Sequence, residues 1–517
     1  MATPARHRNT ADLAPALAAP SVAAAGEPDA DEIIGVMDAD TLRLSDGRCI
    51  ALNPLALGDG RLYTFLLARR ACQLGIAQLW IHPSWPGVLD DEVPGHLTAQ
   101  YGAWVIGAKQ PHWRVCFQVG TYTSAGTIIV SPALDARAPW ARARTAEELL
   151  AALCAFRAAT GLSYRRSPGL TGVDLIRDVH GYDRTGARKR GVRGRPLRLD
   201  VPGTLPDPVT NNAELPRIWM RDLTRDERRA KYLHSYDKNG AWLAACSSLA
   251  LGFGQPEHTY PGDGRYDALA HPRDAKTGAQ LPYPPGFWRA HIATRTLPIR
   301  PELPPLISTG AQAAETQVWI TTPTLQLLYD LGIETCVTEA YIWPTHHRAL
   351  EPWYKRLRDG RTQLMTQCTH NAPGAEVALK TLKLSYAAAT GYIASRGWDR
   401  AGDTLYRPDW RTLLIAQSNA VIYRQMLAAA DEGAHAFALG TDALYFTSDE
   451  PDPVKACPAA LRLGDGLGAW KVKDSLPLAE ILPVLDGAHG QYGALQLVQR
   501  ALNARREGSS RVSDHGD

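Results

Sequence analysis

Two aspartates sit where apolar, β-forming runs break. In YLHSYDKNGAWL the run ends at Asp237 and the chain turns into a short helix from about Ala241. In ALGTDALYF the break is Gly440-Thr441-Asp442-Ala443, and the run resumes as Leu444-Tyr445-Phe446, which reads as strand, tight turn, strand. A carboxylate at a strand end suits a hard cation, because the sheet fixes it and the turn leaves it open to substrate. Two such carboxylates from distant strands can hold a pair of divalent ions. One would activate an attacking hydroxyl, the other neutralise a triphosphate and its leaving group. Taken singly, each has a plainer reading: Asp237 as a turn or helix-capping residue, Asp442 as an ordinary hairpin turn.

Basic residues supply the complementary charge. LKLSYAAATGY, with the preceding Leu379-Lys380-Thr381, predicts a helix over Leu379–Tyr392. Lys380, Lys383, Ala387 and Thr390 fall at i, i+3, i+7 and i+10, one stripe against which a flat anion such as a nucleoside triphosphate can lie. A solvent-facing lysine pair is the alternative. A second helix, Trp353 to Leu364, carries Lys355, Arg356, Arg358 and Arg361. The densest basic stretch is Gly181 to Arg198, with Arg188, Lys189, Arg190 and Arg193 between glycines. It reads either as a solvated loop or as one that tracks phosphates.

The elements that must position these groups begin with Ile33–Met37, an apolar strand ending at Asp38. There follow a run from Leu42 to Cys49, a helical Leu62 to Leu74 and a strand at Ala77–Ile81. Trp104–Gly107, Trp113–Gln118 and Thr127–Val130 read as an antiparallel set. Thr145 to Thr160 reads as an amphipathic helix with Leu149, Leu150, Leu153 and Phe156 on one face. These make an α+β domain of roughly 150 residues. Val201 to Asn212, rich in Pro and Asn, reads as a linker, and strands alternate with helices from Glu214 to about Ala504.

Composition narrows the class. With 517 residues, 45% hydrophobic and 21% charged, the chain can build two or three ordinary globular domains. No apolar run approaches the ~20 residues that span a bilayer, so no membrane partner is expected. The Ala/Pro-rich start lacks the pattern of a signal peptide and reads as a disordered leader. Eight cysteines without a CxxC pair or zinc spacing suggest free thiols and a cytoplasmic location. A net charge of +3 leaves any nucleic-acid affinity to local patches. The Arg, Ala, Gly and Pro bias suggests a GC-rich bacterial genome or one of its mobile elements. No Walker or dinucleotide glycine fingerprint appears in a strand-to-helix context.

In order and spacing the three motifs resemble family B DNA polymerases, most closely the protein-primed branch of phages, linear plasmids and organelles. Asp237-Lys238-Asn239-Gly240-Ala241-Trp242-Leu243 resembles the first palm motif, D-x-x-S-L-Y-P. Lys383 to Gly391 resembles the fingers motif, K-x-x-x-N-S-x-Y-G, and Leu439 to Ala443 resembles the second palm motif, x-D-T-D-S. The resemblance covers about Arg217 to Lys473. It implies a right-hand palm and fingers with a short thumb, preceded by an exonuclease-like (RNase H-like) α/β domain.

The implied division is a leader at 1–30, a degenerate exonuclease-like domain at 31–180 and a basic loop and linker at 181–213. Palm follows at 214–310, palm-to-fingers at 311–400, palm with the metal hairpin at 401–475 and thumb or tail at 476–517. The implied activity is template-dependent DNA synthesis, serving a bacterial mobile element or phage. Asp237 and Asp442 would hold two Mg²⁺ ions, with Mn²⁺ as a substitute. Lys383 and Arg361, with Lys380 and Arg358 as alternates, would clamp the triphosphate, and Trp242 would lie under the sugar. Arg188, Lys189, Arg190, Arg193 and Lys471 would contact DNA. Template-primer DNA, dNTPs and a terminal or priming protein are the implied partners.

The departures are as specific. Gly240 and Ala241 replace Ser and Leu, and Trp242 replaces Tyr. Ala387, Ala388 and Thr390 replace the Asn, Ser and Tyr of the fingers motif. Gly440 replaces the first hairpin Asp, and Ala443 the Ser. The resemblance makes Asp237 and Asp442 the principal metal ligands, and both are present. Asp38-Ala39-Asp40 is the one candidate exonuclease acid pair, without partner motifs, so proofreading is expected to be lost. The alternative is a catalytically inactive, polymerase-like DNA-binding or replication-accessory protein.

Overall fold

Ile33–Met37 is buried along nearly its whole length, as a strand is when it has neighbours on both sides and cover on both faces. It pairs antiparallel with Thr41–Leu44, which pairs antiparallel with Cys49–Ala51. On its other side it runs parallel to Ile76–Ile81, itself parallel to Thr127–Val130. Trp113–Gln118 and Trp104–Gln110 complete a mixed seven-stranded sheet with antiparallel pairing. The helix Ala146–Thr160 covers part of it, with Leu149, Leu153 and Phe156 wholly buried and Leu150 only partly so. Thr145 caps that helix by accepting from the Glu148 N–H at 3.1 Å.

The computed structural model describes residues 33–38, 41–51, 61–63, 71, 74–82, 84, 88–90, 104–110, 113–118, 127–130, 139–164, 167–182, 205–211, 214–293, 300–307, 315–395, 405–486, 495, 496, 498, 500 and 502. The expected leader, Asp40, Arg188, Lys189, Arg190 and Arg193 lie outside these residues. The chain divides into two units, 1–175 with 356–389 and 176–355 with 390–517. One local expectation changes: Arg61–Tyr63, at the start of the expected Leu62–Leu74 helix, is a strand parallel to Val88–Asp90. Pairing with a distant strand outweighs local helix preference there.

The second unit is built on a five-stranded antiparallel sheet. In spatial order its strands are Ile218–Met220, Ala438–Gly440, Ala443–Ser448, Tyr232–Lys238 and Trp470–Pro477. Tyr236, Leu444, Phe446 and Trp470 face one core, shared with Ile422, Tyr423 and Met426 of the long helix Pro408–Asp431. Leu233, Ala443, Tyr445 and Leu476 face the other, covered by Leu478, Ile481, Leu495 and Val498. A separate four-stranded sheet holds Glu257–Thr259, Thr335–Ile342, Gly286–Ala293 and Glu315–Thr321. Among the described residues no helix is long and apolar enough to cross a membrane.

A buried ion pair anchors the base of the long helix. Arg407 and Asp409 are both fully enclosed, with Arg407 NH2 2.6 Å from Asp409 Oδ2. The guanidinium stacks over Trp410 at 4.2 Å and donates to the Gly252 carbonyl, which also accepts from Trp410 Nε1 at 3.0 Å. Gly252 has no room for a side chain, since a Cβ there would meet Trp343 at 2.0 Å. Removing one partner of a buried pair strands the other charge. Arg407→Met should therefore cost about 3–5 kcal/mol by urea denaturation, and the double variant Arg407→Met/Asp409→Leu should recover much of the loss. A single-variant cost near zero would show that the pair does not anchor the helix.

Candidate functional site

Backbone pairing on both sides of Tyr232–Lys238 assembles the site. Asp237 stands opposite Ala443 of the hairpin and opposite Lys471 of the edge strand Trp470–Pro477. Alternation puts residues 233, 235 and 237 on one face. Leu233 fills the core on that face, so Asp237 comes at its open end, beyond the last apolar side chain. Lys238 points the other way. Its ammonium donates to Gln425 Oε1 at 2.8 Å and lies 4.9 Å from the Trp470 ring centroid. Burial lowers its pKa to about 8.

The chain beyond Asp237 is pinned. The Asn239 N–H donates to the Ala469 carbonyl at 2.8 Å, and the Gly468 N–H donates to the Asn239 carbonyl at 2.7 Å. Gly240 then takes φ 53° and ψ 51°, a left-handed conformation that glycine adopts without a Cβ penalty. That gives a physical reason for glycine at a position where the motif it resembles carries Ser.

Asp442 owes its place to a strained turn. Gly440 and Ala443 pair directly, leaving Thr441 and Asp442 as a two-residue hairpin loop. The positive φ, 64°, falls on Thr441 and not on the adjacent glycine. A β-branched residue there is a rare outlier, worth roughly 1–3 kcal/mol of strain that the surroundings must over-determine. They do so from both sides: the Thr441 N–H donates to the Arg217 carbonyl at 2.9 Å, and the Asp442 carbonyl accepts from the Lys238 N–H at 2.9 Å. Asp442 is thereby stitched to the end of the strand that carries Asp237.

Both carboxylates and two lysines share this end of the sheet. Lys471 Nζ lies 3.0 Å from Asp237 Oδ2, and Lys473 Nζ lies 3.2 Å from Oδ1. Burial and then the Asp237 charge push Asp442 up to about 6, while Lys473 and Lys471 pull the other way. Burial opposes the Lys473 ammonium, yet the charges of Asp237 and Asp442 help hold its pKa above the ordinary lysine value. Two hard-oxygen donors in electrostatic contact suit a divalent cation such as Mg²⁺, which commonly takes one or two carboxylates and completes its shell with water and phosphate. Among the described residues no group of three or more His, Cys, Asp or Glu side chains is placed to hold a metal.

Trp242 follows in the short helix Ala241–Ala245 of the same unit and is partly exposed. Lys380, Lys383, Arg358 and Arg361 belong to the other unit. There the expected helix runs over Ala375–Tyr392, and the expected basic helix over Glu351–Thr369. Lys380 pairs with Glu376 one turn back, Arg358 with Asp359 at 2.8 Å, and Arg361 is only 6% exposed. Of the expected stripe, Lys383 is half-buried, Ala387 is exposed and Thr390 is buried. Sequence reasoning named Lys471 as a DNA contact and placed neither Lys471 nor Lys473 on Asp237, where both ammonium groups lie. Their i, i+2 spacing was a signal, readable only once the strand's partner is known.

No family model matches the chain, and no curated protein does. Among solved structures it is similar to Phi29 DNA polymerase complexed with primer-template DNA and incoming nucleotide substrates. That likeness has 12% identity and a TM-score of 0.47, covering 86% of this chain and 85% of that one. It is also similar to the same polymerase in its binary complex with primer-template DNA, with 11% identity, a TM-score of 0.44 and 86% and 84% of the two chains covered. A third likeness is to the family B DNA polymerase of Pyrobaculum calidifontis, with 12% identity, a TM-score of 0.31 and 96% and 67% covered. At TM-scores below 0.5 these carry no weight for function.

The raised Asp442 pKa has a sign that can be checked. A carboxyl whose folded pKa lies near 6 against 3.8 unfolded favours folding fully below pH 3.8, and that contribution fades as pH rises through 6. In metal-free buffer Asp442→Asn should thus be more stable than the wild type at pH 8. The gap should narrow by about 1 kcal/mol at pH 5, measured by chemical denaturation. A pH-independent gap would contradict the half-buried placement of Asp442 in the field of Asp237.

Proposed function

We propose that this chain is a DNA-directed DNA polymerase of family B type, performing template-dependent nucleotidyl transfer at Asp237 and Asp442. One observation carries the reading: the sheet register and the Thr441 turn bring the two aspartates to one end of one sheet, close enough for Asp237 to raise the Asp442 pKa. Asp237 and Asp442 would hold the Mg²⁺, which when bound supplies charge neutralisation to a triphosphate and lowers the pKa of an attacking hydroxyl. The chain's own contribution is placement. The paired strands fix Asp237, the hairpin holds Asp442 against strain, and the pinned 239–240 turn launches the short helix that carries Trp242.

The remaining roles extend that reading. Lys383 and Arg361 would clamp the triphosphate, with Lys380 and Arg358 as alternates. Arg188, Lys189, Arg190, Arg193 and Lys471 would meet template-primer DNA. A terminal or priming protein would be a further partner, in the bacterial cytoplasm, for a mobile element or phage. The mixed sheet of the first unit supports a derived exonuclease-like domain. Loss of proofreading is supported by Asp38, whose carboxylate is held by Arg43 and by the Thr41 N–H at 2.8 Å, while Arg43 also binds Glu147 at 2.6 Å.

A second reading, an inactive polymerase-like DNA-binding protein, is favoured by the lysines already seated on Asp237 and by Gly440 in place of an acid. Primer extension with four dNTPs and Mg²⁺ or Mn²⁺ separates the two. Wild-type protein should extend the primer, and Asp442→Asn should lose about 10²–10³-fold in rate. A wild type no faster than Asp442→Asn would sink the enzymatic reading, and salt-sensitive DNA binding alone would then support the second.

A further inference from the structure

The lysines on Asp237 deepen the proposed function and rest on it. Two metal ions at two carboxylates would place four positive charges against two negative ones before substrate arrives. Here the two carboxylates already face two ammonium groups, one on each oxygen of Asp237. The lysines differ in their freedom. Lys471 is 47% exposed at the rim and can swing into water, whereas Lys473 is 29% exposed and is held in the field of both Asp237 and Asp442. Lys473 lies on the bulged part of the edge strand. The register opposite Ser235 and Tyr236 skips from Asp474 to Val472, leaving Lys473 as the extra residue. A bulge of this kind re-aims a side chain, and Lys473 meets the same carboxylate that Lys471 holds.

We propose that Lys473 takes the place of one of the two metal ions, so that the site binds a single divalent cation between Asp442 and Asp237. Lys471 withdraws when that cation arrives; Lys473 stays and offers its ammonium to a phosphate oxygen. The absence of an acid at Gly440 fits this arrangement, since one ion needs fewer carboxylates than two. A fixed ammonium supplies positive charge without a coordination shell, but it cannot lower the pKa of a bound water or hydroxyl as a metal does. Held by Asp237 and Asp442, the single ion would therefore supply the lowered hydroxyl pKa, and Lys473 would supply positive charge to the triphosphate.

The test counts Mn²⁺ by electron paramagnetic resonance on the full chain. Protein is titrated with Mn²⁺ alone, and then with a dideoxy-terminated primer–template and the complementary dNTP. The wild type should bind one ion per site with an uncoupled spectrum. Lys473→Gln should bind two, with the spin-coupled spectrum of a close pair, and should hold the first ion at least ~10-fold more tightly. Lys473→Met serves as a second neutral variant, and Lys473→Arg, which keeps the charge, should remain at one. Two coupled ions in the wild type, or a single ion in both neutral variants, would overturn the substitution while leaving the polymerase reading standing. No site-bound Mn²⁺ in any variant would overturn both.

Discussion

The structure of the site depends on the central position of one strand. Tyr232–Lys238 is hydrogen-bonded along both edges, to the Ala443–Ser448 strand and to Trp470–Pro477. Because side chains alternate, a one-residue slip against either neighbour would send Asp237 into the helix-packed core and Lys238 out to the site. Two hydrophobic cores oppose such a slip. Leu233 and Tyr236 are fully buried on opposite faces, so the register that satisfies both leaves Asp237 where the apolar cover ends.

Charge is distributed across that sheet in an uncommon way. One face carries the carboxylates of Asp237 and Asp442 and two ammonium groups at its end, with Asp474 further along it, accepting from the Ser235 hydroxyl at 3.2 Å. The other holds a buried lysine whose partners are an amide oxygen and an indole ring. Burying an ammonium without an acid is costly, and the depressed Lys238 pKa reflects it. Thr441 adds backbone strain directly beside Asp442. Backbone strain beside Asp442 and a buried ammonium on the opposite face of the same strand are local costs that the surrounding sheet must over-determine.

Much of this was legible in the sequence, for identifiable reasons. Asp237 and Asp442 could be chosen because breaks in β-forming runs mark strand ends, and Thr145 could be placed because its helix has a strong apolar period. Lys473 was missed because its i, i+2 spacing from Lys471 has meaning only against a strand more than two hundred residues earlier in the chain. Thr441 was missed because a glycine stands beside it and would be expected to take the positive φ. The Leu62–Leu74 helix was misread at its start because Arg61–Tyr63 finds a partner in Val88–Asp90, a contact outside any local window. Thr390 lies on the expected exposed stripe but is buried, since packing of that helix narrows the face that spacing alone would leave open.

The central claim is that Asp237 and Asp442 share a divalent cation. Anomalous diffraction from crystals soaked in Mn²⁺ tests it most directly, because it locates the ion without requiring turnover. The account requires a peak about 2.1–2.2 Å from an oxygen of each aspartate, with Lys471 moved off Asp237. Strong Mn²⁺ peaks elsewhere, with both lysines still bound to Asp237 and no peak beside Asp442, would contradict it.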